Sequence, residues 1–232
     1  MTGRLVCRKA LTPGDRDAML GLLATYFTGV TRERFEADLA EKNWALLLEE
    51  DGRLRGFSTL QIYETTLPGG EPVTVVYSGD TIVEQDAWGT ASLPRCWIAA
   101  VRKLRARYPR GKLWWLLLTS GFRTYRFLPV FWRDFWPRHD GPTPPEMREM
   151  AGFLARERFG DLYLYKEGIV RFPEPQVLRE GCAAIPPGRL EDPHVAFFLE
   201  RNPGWVRGDE LVCLTELAEE NLTRAGRRIW GR

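Results

Sequence analysis

Apolar residues follow two rhythms along this chain, and the switches between them mark out its elements. Residues 4–11 read as a short strand. Behind the turn Thr12-Pro13-Gly14-Asp15, in which Asp15 can cap a helix, Met19, Leu20, Leu22, Leu23, Tyr26 and Phe27 fall at helical spacing. Gly29 interrupts, and Thr31 opens a second helix with Phe35, Leu39 and Ala40 on one face. Residues 44–49 and 54–63 alternate as strands joined by Glu50-Asp51-Gly52-Arg53, whose Asp-Gly pair predicts a tight hairpin. Leu67-Pro68-Gly69-Gly70 predicts a second turn, leading into a strand over 73–83.

A polar turn follows over 84–92. Leu93, Cys96, Trp97, Ala100, Val101 and Leu104 then form the buried stripe of a helix that Tyr108-Pro109-Arg110-Gly111 ends. Residues 112–119 are continuously apolar after Lys112, as in a strand covered on both faces, and 123–127 resume as an aromatic, helix-like run. Beyond Pro129 the pattern loosens: a helix over 146–159, irregular chain over 173–187, a strand near 209–214 and a last helix over 216–230. The expected fold is mixed α/β, a mostly antiparallel sheet flanked by helices. Residues 1–137 form the core, and 138–232 a helix-rich extension packed on or beside it.

Composition narrows the function classes. The chain has 232 residues, 44% hydrophobic and 28% charged, with a net charge of only +2, so no global field points to nucleic acid. No run reaches the ~20 apolar residues of a membrane span and the N-terminus lacks a signal-peptide core, so a cytoplasmic protein is expected. Cys7, Cys96, Cys182 and Cys213 are scattered without a CxxC pair and read as reduced thiols; His139 and His194, far apart in sequence, read as loop residues. No metal site is expected.

The order β-α-α-β-β-β-turn-α-β-α over residues 4–137 resembles the GCN5-related N-acetyltransferase (GNAT) superfamily. In that family a strand runs into a turn whose amides hold the pyrophosphate of acetyl-coenzyme A. Here the stretch from Gly79 to Ala91 is similar to that strand and turn. Against the family signature Gln/Arg-x-x-Gly-x-Gly/Ala, Trp88 stands at the Gln/Arg position, Ala91 at the first glycine and Leu93 at the last Gly/Ala, with Gly89 on the additional glycine many members carry. The lost glycines limit how closely backbone approaches a phosphate, and the lost arginine removes a charge-assisted contact.

The resemblance implies acyl transfer, most simply of acetyl, from coenzyme A to a small-molecule or peptide amine. Strand amides near Ile82 or Val83 would meet the oxyanion, and the amides of Trp88, Gly89, Thr90, Ala91, Ser92 and Leu93 would meet the donor phosphates, with Arg95, Ser120 and Arg123 nearby. Tyr125 falls where the family's thiolate-protonating tyrosine sits, the alternative being one more ring in an aromatic cluster. Asp80 and Glu64 are the candidate bases. A gap between the strands over 73–83 and 112–119, filled by neither Trp88 nor Leu93, is required. A long-chain acyl-coenzyme A, an acyl carrier protein docking on the arginines of the helix, and a non-catalytic binding module are the other readings; a homodimer is compatible with any of them.

Overall fold

The computed structural model describes residues 1–230. In chain order the regular elements are β1 (Thr2–Cys7), α1 (Pro13–Tyr26), β2 (Phe27–Thr28), α2 (Arg32–Ala40), β3 (Trp44–Glu50), β4 (Arg53–Thr66), β5 (Pro72–Val83), α3 (Ser92–Arg105) and β6 (Lys112–Thr119). They continue with α4 (Phe122–Tyr125), α5 (Phe127–Phe131), β7 (Phe135–Trp136), α6 (Pro145–Phe159), β8 (Tyr163–Leu164), β9 (Ile169–Val170), β10 (Val177–Leu178), α7 (Pro187–Leu190), α8 (Pro193–Arg201), β11 (Glu210–Glu216) and α9 (Arg224–Trp230).

One sheet carries the molecule, in the order β1-β3-β4-β5-β6-β11-β9-β8, with β7 also paired to β11. All its neighbours are antiparallel except β5 and β6, which run parallel through the α3 crossover. This is the mixed, mostly antiparallel sheet that the sequence predicts. On one face α3, α5, α8 and α9 cover Leu46, Leu60, Val76, Trp115 and Leu117. The other face is divided: α1 and α2 cover Ala45, Leu47, Phe57 and Ile82, and α6 covers Val75, Tyr77, Trp114 and Leu116. β6 is buried on both sides after Lys112, which explains its unbroken apolar run.

Local chemistry sets the boundaries. Thr12, not Asp15, is the N-cap of α1; Asp15 is the third helical residue and closes a capping box by accepting from the Thr12 amide at 2.9 Å. Asp51 and Gly52 both take positive φ, 51° and 75°, as the β3–β4 hairpin demands. The expected last helix is shorter, because β11 runs on to Glu216 and α9 begins only at Arg224. The division expected at 137 falls between elements of one sheet. β11 enters the sheet beside β6 (Leu211↔Thr119 to Glu216↔Trp114), so a strand from the expected extension lies within the same sheet as the expected core.

Candidate functional site

β5 and β6 pair from Val73↔Lys112 to Ser78↔Leu117, and then part. Beyond that point β5 continues to Val83 held only by β4, and β6 to Thr119 held only by β11. The parting coincides with a β-bulge: β4 pairs Leu60 with Ser78 but Ser58 with Thr81, so Gly79 and Asp80 stand opposite Thr59. A bulge bends and twists its strand, which turns the end of β5 away from β6. Glycine is needed here, because a Cβ at Gly79 would run into the Lys42 side chain and stand 2.7 Å from Thr59 Oγ1.

The bulge also changes which way side chains face. Simple alternation pairs Asp80 with Ser78 and Thr81 with Tyr77. Instead Ser78 and Thr81 share the α3 face, where Ser78 Oγ accepts from Trp115 Nε1 at 2.8 Å and Thr81 Oγ1 meets Ser58 Oγ at 2.8 Å. Asp80 joins Tyr77 on the opposite face, amid Asp38, Lys42 and Glu210.

That neighbourhood is an unusual polar cluster in a protein interior. Lys42 is 2% exposed, donates to Asp38 Oδ1 at 2.6 Å and lies 5.3 Å from the centroid of the Tyr77 ring. Burial, then the charge of Asp38, lifts the Asp80 carboxyl to about 7, with Lys42 pulling the other way. Burial, then Asp80 and Asp38, lifts Glu210 at the head of β11 to about 8. Asp80 as a residue is half-buried, yet its Oδ2 is shut away from solvent without a hydrogen-bond partner, as are Asp38 Oδ2 and Gln61 Oε1. Three acceptors are therefore buried here without donors, an unmet demand for hydrogen bonds. Sequence reasoning missed Asp38, Lys42 and Glu210, which lie far apart in the chain. The one available signal was a glycine inside a strand, which marks bulges.

Glu64 is not part of this site. It pairs with Thr74 near the start of β5, six residues from Asp80 and so ~20 Å away at strand rise, and it accepts from the Arg110 amide. Tyr125, expected where the family's thiolate-protonating tyrosine sits, is 0% exposed, donates its phenol to Pro137 O at 2.9 Å and packs on Phe135, Phe197 and Phe198. Burial drives its pKa far above the phenol range.

At the mouth of the gap, Glu84 N donates back to Arg55 O on β4, so ladder alternation turns the N–H and C=O of Thr81 and Val83 into the gap. Trp88 occupies that edge: its Nε1 donates to Val83 O at 2.8 Å, and the Arg123 guanidinium stacks 4.4 Å from its ring centroid. Arg123 in turn donates to the carbonyls of Cys182 and Ala184. Those residues belong to a strap whose β10 pairs with β2 and whose Arg179 amide reaches Tyr26 O at 2.8 Å. Ser120 lies under the same strap, lining a cavity of about 40 Å³ with Phe27, Val177 and Leu178. The gap exists, but Trp88 closes it, so the requirement for an unfilled opening is unmet in this conformation.

The head of α3 has no side-chain cap, and Pro94 withholds a third amide, leaving those of Ser92 and Leu93; Ser92 N makes a long 3.4 Å contact to Thr90 Oγ1. Gly89 takes φ 81° in the open turn, and Thr90 and Ala91 are exposed. Glu84 and Asp86 are drawn away from this head by Arg55, at 2.9 and 2.5 Å. The helix arginines serve the chain itself: Arg95 bonds Met1 O, Arg102 bonds Trp230 O, and Arg105 bonds the carbonyls of Tyr108 and Gly111. This weakens the case for a docked carrier protein. His139 and His194, expected apart, meet with ring centroids 4.4 Å apart; among the described residues no three His, Cys, Asp or Glu side chains group as a metal site. All four cysteines are free, and among the described residues no helix is long and apolar enough to cross a membrane.

No protein-family model matches the sequence, and no curated protein does. Solved structures do match. A conserved protein from Enterococcus faecalis V583, given as a probable N-acyltransferase, is 14% identical with a TM-score of 0.44 over 58% of this chain; the match spans 33% of that longer protein. The ribosomal-protein-alanine N-acetyltransferase from Brucella melitensis is 21% identical (TM-score 0.34, 49% of this chain and 78% of that one). An acyl-CoA N-acyltransferase from Pseudomonas aeruginosa is 15% identical (TM-score 0.37, 51% and 78%). Likeness this low transfers nothing about chemistry. Strand order, the bulge and the parted parallel pair are the mixed, mostly antiparallel architecture expected from the sequence, with Trp88 bonded to the free edge of β5 where the strands part.

Proposed function

We propose that the chain is an N-acyltransferase that takes its acyl group from an acyl-coenzyme A and passes it to an amine held against Asp80. The observation that carries this reading is the bulge at Gly79–Asp80. It opens the gap a pantetheine chain would enter as an added strand, and it presents beside that gap a carboxyl balanced near neutrality. In the reaction Asp80 accepts a proton from the ammonium form of the substrate, and the freed nitrogen attacks the thioester carbonyl. The oxyanion forms near the gap-facing amides of Thr81 and Val83, the attached nitrogen gives its second proton to solvent as the C–S bond breaks, and the leaving thiolate takes a proton from solvent. The acceptors around Asp80 favour an amine that remains cationic elsewhere. The donor would also need coenzyme A's phosphates at the amides of Ser92 and Leu93, a sparer set than the glycine-rich turn of the family offers.

Entry of the donor requires the Trp88 indole to leave Val83 O and Arg123. One hydrogen bond and one cation–π contact amount to about 2–3 kcal/mol, a tax of tens to a few hundredfold on donor affinity. Titration calorimetry of the protein and of Trp88→Ala with acetyl-, octanoyl- and palmitoyl-coenzyme A tests this directly, with thiol release from a panel of diamines as the activity readout. The expected result is tighter donor binding by Trp88→Ala. Absence of binding by either protein would overturn the enzyme reading in favour of a non-catalytic module, which the Trp88–Val83 bond supports.

A further inference from the structure

Away from the parted strands, the chain carries a second charged feature with opposite sign. Arg133, Arg224, Arg227 and Arg228 line a surface cavity of about 360 Å³. It lies toward the other end of the sheet: Leu217, just past β11, bonds Leu113 at the start of β6, and Arg133 N bonds Asn221 O in the loop that leads to α9. Trp88 and the gap lie at the opposite end of β6.

These arginines are exposed, and three features single them out among the surface charges. Among the described residues none of the four makes an ion pair, although carboxylates are near in sequence: Asp134 turns to Arg138 at 3.5 Å and leaves its neighbour Arg133 unneutralised. Arg224, Arg227 and Arg228 stand at i, i+3 and i+4, one face of α9, where like charges cost helix stability unless an anion relieves them. The helix that presents them is fixed in place. Thr223 Oγ1 bonds Val130 O at 2.6 Å and accepts from Gly226 N, Arg102 grips Trp230, and Gly226 sits so close to Phe131 O that no Cβ would fit.

Planar, forked donors carried on a fixed helix and the neighbouring Arg133, around a cavity of small-ligand size, are suited to bidentate phosphate recognition. We infer that this cavity is a binding site for a small, phosphate-dense anion, one with at least two adjacent phosphate groups, separate from the acyl-transfer site. Four guanidinium groups exceed what a single phosphate can neutralise, so a diphosphate fills the site better than a monophosphate.

The test uses the full chain with pyrophosphate as probe and inorganic phosphate and sulfate as comparisons, all at fixed ionic strength, by titration calorimetry and thermal shift. Arg227→Gln/Arg228→Gln changes exposed side chains, so the fold is retained and the melting temperature without ligand is unchanged or slightly raised. Saturable 1:1 pyrophosphate binding, at least tenfold tighter than phosphate or sulfate and at least tenfold weaker in the double variant, supports the site. Binding that survives in the variant belongs elsewhere, for instance at the head of α3, and overturns it. So does absence of saturable binding, equal affinity for all three anions, or capture of duplex DNA with none of pyrophosphate, which would indicate a general polyanion surface. An inactive acyl-transfer site would leave each of these outcomes unchanged.

Discussion

Replacing Asp80 by Asn is the sharpest perturbation the site allows. The carboxyl is lifted from 3.8 to about 7, chiefly by burial and by Asp38. Below pH ~4 it is protonated in both the folded and unfolded chain and costs folding nothing. Between pH 4 and 7 the unfolded chain gives up this proton and the folded chain keeps it, so the stability contribution present at low pH is lost as pH rises through the folded value. The loss amounts to about 4 kcal/mol for a displacement of this size, at ~1.4 kcal/mol per tenfold change in proton affinity. The facing groups are Asp38, Lys42, Glu210, Tyr77 and Arg158. Asn abolishes the titration, and because Asp80 is the second cause of the raised Glu210 value, it also relaxes Glu210. Other carboxyls titrate in the opposite sense: Asp140, drawn down to about 2 chiefly by Arg138, and Asp209, lowered by Arg171, favour the fold at high pH. The difference between the two proteins is therefore the quantity to follow. Urea unfolding of both from pH 4.5 to 8 should show the variant gaining on the parent by a few kcal/mol, with most of the change below pH 7.5. Parallel curves would refute the buried-carboxyl account, and with it Asp80 as a base poised at neutral pH.

Tyr125→Phe removes the phenol that bonds Pro137 O and should cost about 1 kcal/mol in denaturant unfolding while leaving turnover intact; a selective loss of turnover would restore Tyr125 to the chemistry. Gly79→Ala drives a methyl into Lys42 and Thr59, and calorimetric melting should register a loss of about 1–3 kcal/mol. Asp192→Ala deletes the N-cap of α8, bonded to His194 N at 3.0 Å, together with the 2.8 Å ion pair to Arg126. A melting temperature lower by about 3–6 °C is expected, at ~2–4 °C per kcal/mol.

What the sequence disclosed was what local chemistry writes into it. The Asp51-Gly52 hairpin, the β6 run and the α3 stripe stand where their patterns put them, since each is specified within a dozen residues. What stayed illegible depends on tertiary contacts rather than on local pattern. Asp80 was a candidate, but its facing required the bulge, and Lys42 is an ordinary helix-end lysine until α2 is laid on the sheet. Tyr125 fits the place of a catalytic tyrosine by position, whereas its phenol is taken by Pro137, which no spacing announces. Trp88 stood at an anomalous site in the turn, and that anomaly was the one legible hint that the mouth is filled.

The pairing of β6 with β11 joins residues more than ninety positions apart and sets an order of events during synthesis. As the chain leaves the ribosome, everything through β6 can collapse early, but its hydrophobic edge stays bare until residues 210–216 emerge, some ninety positions later. A nascent chain stalled in that interval exposes a long, apolar, unmatched ladder, the very surface on which molecular chaperones act and aggregates begin.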